Sequence, residues 1–388
     1  MRQTRNTIDD LRAASRLAIE ATRGVTAVVE EMHRTIGSGP AILGRPLAEP
    51  ARLLLGPIYA QIRGTMGLVG AGLDVALAKL TPLVNQGLPG FEREAVVAAL
   101  NGVLGDYLQE SGNPLAIEMR IRHQGRPLEL GSAELLADLP QAGSRLLVLV
   151  HGSSVSDMQW TRLGHEHGAA LARDLGYTPV YLHYNSGLHI STNGRAFAEL
   201  LEQLVSAWPV PLEELAILGH SMGGLVARSA CHHGEQARYR WRKTLRTLIC
   251  LGTPHHGSPW ERIGNRVDRF LGISPYSAPL ARLGKIRSAG VTDLRHGNVL
   301  DEHWQGIDRF AHARDFRTRL SLPSGVKCCA IAAAGDGLVP VDSALGRHEN
   351  PELMLSFLEE HQWTGHGMRH LDLLSHADVY AVIRKWLT

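Results

Sequence analysis

The sequence predicts an α/β protein: a mostly parallel central sheet interrupted by a helical insertion and preceded by an all-helical N-terminal extension. Three observations carry that expectation. Short apolar runs closed by glycine or polar turns recur from about residue 115, helical stretches separate them, and residues 1–112 read as helical throughout. Strand and helix in alternation imply parallel strands covered on both faces. The boundaries that follow are an extension over 1–112 and an α/β domain over 113–388, with an insertion at 258–323.

In the extension, Val25, Val28, Val29, Met32 and Ile36 recur at helical spacing before a stop at Gly37-Ser38-Gly39-Pro40. Residues 66–80 are rich in glycine and small apolar side chains. Asp74 and Lys79 interrupt them, so they fall short of the roughly 20 apolar residues that span a bilayer. A helix packed closely through its glycines is the first reading of this segment. A helix touching a membrane surface or a partner is the second. A further helix starts near Phe91, where Val96, Val97, Leu100, Val103, Leu104, Tyr107 and Leu108 form a wide apolar stripe.

Residues 115–123 alternate as a strand does, and Gln124-Gly125-Arg126-Pro127 is a turn into a second one. Buried strands are expected at 146–150, 179–182, 215–218, 247–251 and 328–332, with helices at 195–207, 225–231 and 379–387. Residues 258–323 break this rhythm with charged, Gly- and Pro-containing helical pieces. Placed between two core strands, such a segment lies over the C-terminal edge of the sheet, where ligands bind in open α/β folds, and is read as a cap or lid.

Composition narrows the function. The 388 residues are 44% hydrophobic and 20% charged with a formal net charge of +2, values of an ordinary globular chain. No basic stripe is present, so no nucleic-acid partner is expected. The N-terminus lacks the apolar core and cleavage site of a secretory signal. Cys231, Cys250, Cys328 and Cys329 have neither zinc nor redox spacing, and a reduced, cytoplasmic protein is expected.

Gly219-His220-Ser221-Met222-Gly223 carries the chemistry. A serine hydroxyl is a poor nucleophile, and exposing it on a sharp turn beside a base is how catalysis by serine works. Glycines at both ends permit that turn. The bare pattern is weak, but here it follows an expected strand and opens an expected helix, the setting it requires. The oxyanion formed on attack needs pre-aimed donors. The N–H of Met222 is one candidate, and the loop His151-Gly152-Ser153-Ser154 offers the other, assigned to Ser153. Asp336, in Gly335-Asp336-Gly337-Leu338, follows an expected strand and is the candidate acid, with Asp342 in reserve. Among His361, His366, His370 and His376, His370 is the candidate base. It precedes Ser375-x-x-Asp378, whose spacing resembles a capping box for the last helix.

These segments together resemble bacterial α/β-hydrolase lipases and esterases, including relatives of the GPI-inositol deacylase group. Gly-His-Ser-Met-Gly-Gly at 219–224 looks like their nucleophile elbow and Val150-His151-Gly152 like their oxyanion loop. Leu251-Gly252-Thr253-Pro254-His255-His256-Gly257-Ser258 is similar to the segment after their next core strand. Asp336-Gly337-Leu338-Val339 resembles the loop bearing the acid, and His370-Leu371-Asp372 the segment bearing the base. The resemblance covers roughly residues 145–388, more loosely in the insertion, and implies an α/β-hydrolase fold without a cofactor. Some of those lipases bind zinc or calcium. His255-His256 lacks spacing-matched partners, so no metal is expected and the pair is read as anchoring the cap or lining the acyl pocket. The helical extension and the absence of a signal sequence depart from the simplest secreted lipases.

The expected chemistry is two-step transfer of a short or medium acyl group from a carboxylic ester to Ser221 and then to water. The rival is a non-catalytic hydrolase scaffold that docks a partner or a membrane surface through its N-terminal helices.

Overall fold

The computed structural model describes residues 90–257, 288–307 and 315–388. The expected helices around residues 25–36 and 66–80, and the remainder of the insertion, lie outside the described residues. In chain order the helices are α1 (Gly90–Glu110), α2 (Ser132–Asp138), α3 (His167–Leu175), α4 (Ile190–Ala207), α5 (Met222–Gln236), α6 (Trp241–Thr244), α7 (Ala289–Asp293), α8 (Val341–Ala344) and α9 (Ala377–Leu387). The strands are β1 (Arg120–His123), β2 (Arg126–Pro127), β3 (Arg145–Val150), β4 (Thr178–His183), β5 (Glu214–His220), β6 (Leu245–Leu251), β7 (Lys327–Ala333) and β8 (Gln362–Gly365).

One sheet in the order β2-β1-β4-β3-β5-β6-β7-β8 contains all of them. β1 runs antiparallel to β2 and β4, and every pairing from β4 to β8 is parallel. This is the α/β-hydrolase fold. Because side chains alternate along a strand, each central strand supplies two cores. Leu146, Val148 and Val150 of β3, with Leu215 and Ile217 of β5, face one core, shared with Phe197 and Leu201 of α4 and with Leu225 and Val226 of α5. Leu147, Leu149, Ala216 and Leu218 face the other, with Leu171 of α3 and Val379, Ile383 and Trp386 of α9. Near-continuous apolar runs are the consequence of burying both faces. All four cysteines are buried and free, and Cys328 and Cys329 point to opposite cores from adjacent positions of β7.

Three expectations need correction. The strand expected over 115–123 forms only from Arg120, because buried Asn101 takes the backbone groups a ladder would use. Its amide donates to Leu115 O at 2.7 Å and its Oδ1 accepts the Ile117 N–H at 2.9 Å. The turn into β2 is Gln124-Gly125 alone, both at positive φ, with Arg126 already in the strand. Helix α1 carries no one-sided stripe: residues 96–105 are buried all round, including Asn101, Gly102 and Gly105. Strand β8 was not expected at all, since Gln362-Trp363-Thr364 has neither length nor apolar continuity.

Candidate active site

The site is built at the C-terminal ends of β3, β5, β6 and β7. β5 ends at His220, Ser221 adopts φ 54° and ψ −125°, and α5 starts at Met222. A non-glycine residue at such a φ is strained and persists only where its surroundings enforce it. Two glycines make the turn possible by close approach. A Cβ on Gly219 would stand 2.7 Å from Gly224 Cα, and one on Gly223 would stand 2.2 Å from Val150 O. The Ser221 N–H donates to Leu251 O at 2.8 Å, which ties the turn to the end of β6.

Beyond β7, Asp336 Oδ1 accepts the N–H groups of Leu338 at 3.0 Å and Val339 at 2.8 Å, which fixes the carboxylate plane. Oδ2 then accepts the Nδ1–H of His370 at 2.7 Å, with both side chains buried. This bond leaves Nε2 of His370 as the acceptor nitrogen. His370 opens a 3-10 turn, His370–Leu374, and its ring lies against Gly252, the residue after Leu251. Nε2 of His370 and Oγ of Ser221 are both buried, and neither has a hydrogen-bond partner. In a native interior such orphans call for a functional explanation.

Of the donors expected for an oxyanion, Met222 is the first residue of α5, so its N–H has no intrahelical acceptor. Ser153 is buried in the loop after β3. The neighbouring Ser154, at φ 61°, spends its own N–H on Ser186 Oγ at 3.0 Å. Gly152 lies close over Ser221, where an added Cβ would come within 3.0 Å of Ser221 Cβ. His151 stays in the loop: its ring stacks on Tyr184 at 4.3 Å and its Nδ1–H donates to Gly152 O at 2.8 Å. Burial is the main reason its pKa falls to about 4, with the hydrogen bond to Gly152 opposing.

The reserve residues lie elsewhere. Asp342 is exposed at the start of α8 and pairs with Arg347 at 3.5 Å. His361 closes a short 3-10 turn and His366 is exposed. His376 is the N-cap of α9, its side chain accepting the Asp378 N–H, so Ser375 does not play the capping role expected of it. The nearby reciprocal contact is Asp372 accepting the Arg369 N–H at 2.8 Å. His255 Nδ1 accepts from Arg228 at 3.2 Å and His255 O accepts from Arg317 at 3.1 Å, while His256 Nε2 donates to Gly346 O at 3.0 Å. The pair thus anchors the insertion's return and the segment around α8. Among the described residues no group of three or more His, Cys, Asp or Glu side chains could hold a metal, and no helix is long and apolar enough to cross a membrane.

Two supporting histidines escaped sequence reasoning. His220 Nε2–H donates to His370 O at 3.3 Å, with ring centroids 4.7 Å apart. Burial, then the proximity of His370, holds its pKa well below the usual histidine range. His167 donates to Leu373 O at 2.9 Å and so steadies the turn that carries His370; burial lowers its pKa to about 4. The position of His220 inside the nucleophile pentapeptide was a signal. His167 had none. A cavity of about 280 Å³ lies within the insertion, lined by Asp293, Arg295, Trp304 and Arg317 among others; neither Ser221 nor His370 lines it.

Residues 141–321 match the PGAP1-like alpha/beta domain family. No curated protein matches the sequence. Similar solved structures include the mature lipase BlEst2 of Bacillus licheniformis, at 18% identity over 70% of this chain and 98% of that chain, TM-score 0.43. Naproxen esterase of Bacillus subtilis is similar at 14% identity over 63% and 84%, TM-score 0.36. Lipase B of Aspergillus fumigatus is similar at 12% identity over 95% and 83%, TM-score 0.45.

Proposed function

We propose that this chain, an α/β-hydrolase fold of the kind found in lipases and esterases, cleaves carboxylic esters of short or medium acyl chain through an acyl-enzyme on Ser221. One observation carries the reading: Ser221 Oγ and His370 Nε2 are orphaned in the same buried strand-edge region, while the other nitrogen of His370 is held by Asp336.

In this reading His370 accepts the Ser221 proton as Oγ attacks the ester carbonyl. Asp336 keeps Nδ1 protonated and stabilises the imidazolium without taking its proton. The N–H groups of Met222 and Ser153 receive the oxyanion. The imidazolium protonates the departing alcohol, and water then attacks the acyl-enzyme with His370 again as base. In this reading Oγ and Nε2 become partners when substrate enters, since catalytic hydrogen bonds commonly tighten only in the Michaelis complex. Over this edge the insertion between β6 and β7 serves as a lid, and neither metal nor cofactor is required by the chemistry.

A series of p-nitrophenyl esters from acetate to palmitate, measured on wild type and Ser221→Ala, tests the reading. Turnover that peaks at short or medium chains and disappears in the variant supports it. A wild type that leaves every ester intact favours a non-catalytic scaffold instead.

A further inference from the structure

Helix α1 is buried on every face over residues 96–105, yet it lies outside the strand and helix alternation that builds the layers. Its contacts give it a place. A Cβ on Gly102 would stand 2.0 Å from Ser154 Oγ and 2.6 Å from Ser154 Cα, so the helix backbone is pressed against the loop that bears Ser153. Ser154 holds φ 61°, a conformation that residues with a Cβ rarely keep unaided. Among its constraints are the hydrogen bond from its N–H to Ser186 Oγ, the 3.4 Å contact of its Oγ with Ser153 Oγ, and the bare face of Gly102.

A second tie joins the same partners through charge. Arg122 Nη1 of β1 meets Glu94 Oε2 of α1 at 2.9 Å and Asp157 Oδ1, in the continuation of the oxyanion loop, at 3.3 Å. His183 Nδ1 lies 3.1 Å from the same Asp157 oxygen. The helix also grips the loop after β4, with Asn185 Nδ2 donating to Gly105 O at 2.9 Å. It holds the start of α7 as well, with Ser288 Oγ donating to Gly102 O at 2.6 Å and the Ala289 N–H to Asp106 Oδ2 at 3.0 Å.

We propose that α1 is a positioning element of the oxyanion loop, and that Gly102 is the residue through which it sets Ser154 and hence the N–H of Ser153. The inference rests on the ester-hydrolase reading above. Gly102 touches no substrate and acts through the loop.

Gly102→Ala in the full chain, assayed on a matched ester and thionoester, tests it. Sulfur accepts hydrogen bonds poorly, so preference for the ester reports an intact oxyanion site. Gly102→Ala is expected to lower kcat on the ester by about tenfold or more with KM within about twofold, and to erode the preference by a similar factor. Adding Ser154→Gly removes the clashing Oγ and Cβ and suits the positive φ, so it restores part of both. Gly234→Ala is the control, because its Cβ would meet Trp241 Cζ2 at 2.5 Å, at the opposite end of α5 from Met222 and away from Ser154 and Ser186. It should lower Tm and keep the preference. Should Gly102→Ala not fold, Gly102→Ala/Ser154→Gly and Glu94→Gln carry the test, each with a reduced preference expected.

A Gly102→Ala enzyme that keeps kcat and preference, or loses no more preference than Gly234→Ala, overturns the proposal, as does unaltered preference in both substitute variants. An active wild type with an indifferent Gly102→Ala sinks only the role of α1. A wild type inert on all esters sinks the hydrolase reading with it.

Discussion

His370 donates its Nδ1–H to Asp336 Oδ2 at 2.7 Å, across a separation of 34 residues, with both groups buried. That bond fixes which nitrogen carries the proton and leaves Nε2 as the acceptor. Asp336→Asn replaces an obligate acceptor with an amide that can turn its N–H₂ toward the ring and favour the wrong tautomer. A fall in kcat of about 10³- to 10⁴-fold with little change in KM is expected from steady-state ester hydrolysis. A loss below about tenfold would show that another group orients the base.

Ser221 at φ 54° holds a backbone conformation that a residue with a Cβ adopts at a cost, which the proposed nucleophilic role would explain. Ser221→Ala and Ser221→Gly both remove the nucleophile, but only glycine relieves the backbone. In denaturant titration the glycine variant should be the more stable of the two by about 1 kcal/mol, despite glycine's larger unfolded-state entropy. Equal stabilities would mean that the turn is unstrained.

Asp342 is exposed and pairs with Arg347 at 3.5 Å. Asp342→Asn is therefore expected to leave activity within about twofold and stability within about 0.5 kcal/mol, as for a surface ion pair. A severe loss of activity in this variant would transfer the acid's role to Asp342.

His151 and His167, with pKa values lowered to about 4 mainly by burial, and His220, held well below the usual histidine range by burial and by His370, are neutral in the fold. The unfolded chain takes up these protons near pH 6.5, so it binds more protons than the native state below that pH. Stability should be flat in their contribution above pH 6.5 and fall steadily between pH 6.5 and about 4. Melting curves across that range check it. His220→Asn should flatten the slope, and an unchanged slope would exclude His220 as a contributor.

Much of this was legible because it is local. The path from β5 through Ser221 into α5 is contiguous in sequence, and the Gly-x-Ser-x-Gly spacing reports its tight approaches directly. Asp336 was a candidate because it follows a strand, and His370 because it precedes the last helix; the two are hydrogen-bonded to each other in the fold. What escaped depends on distant partners. Asn101 diverts the backbone of Leu115 and Ile117 from strand pairing, which no alternation pattern reveals. Gly102 and Gly105 look like weak points in an apolar helix until Ser154 and Asn185 are seen against them. The cap of α9 went to His376 rather than Ser375 because the preceding 3-10 turn, held by Asp372, sets where the helix can start.

The central claim is that Ser221 is a nucleophile activated by His370. Incubating the purified chain with a fluorophosphonate and mapping the adduct by peptide mass spectrometry tests it most directly. A single adduct on Ser221, formed by wild type, much slower in His370→Ala and missing from Ser221→Ala, is the predicted result. An unlabelled wild type, or an adduct that persists at another residue in Ser221→Ala, would contradict it.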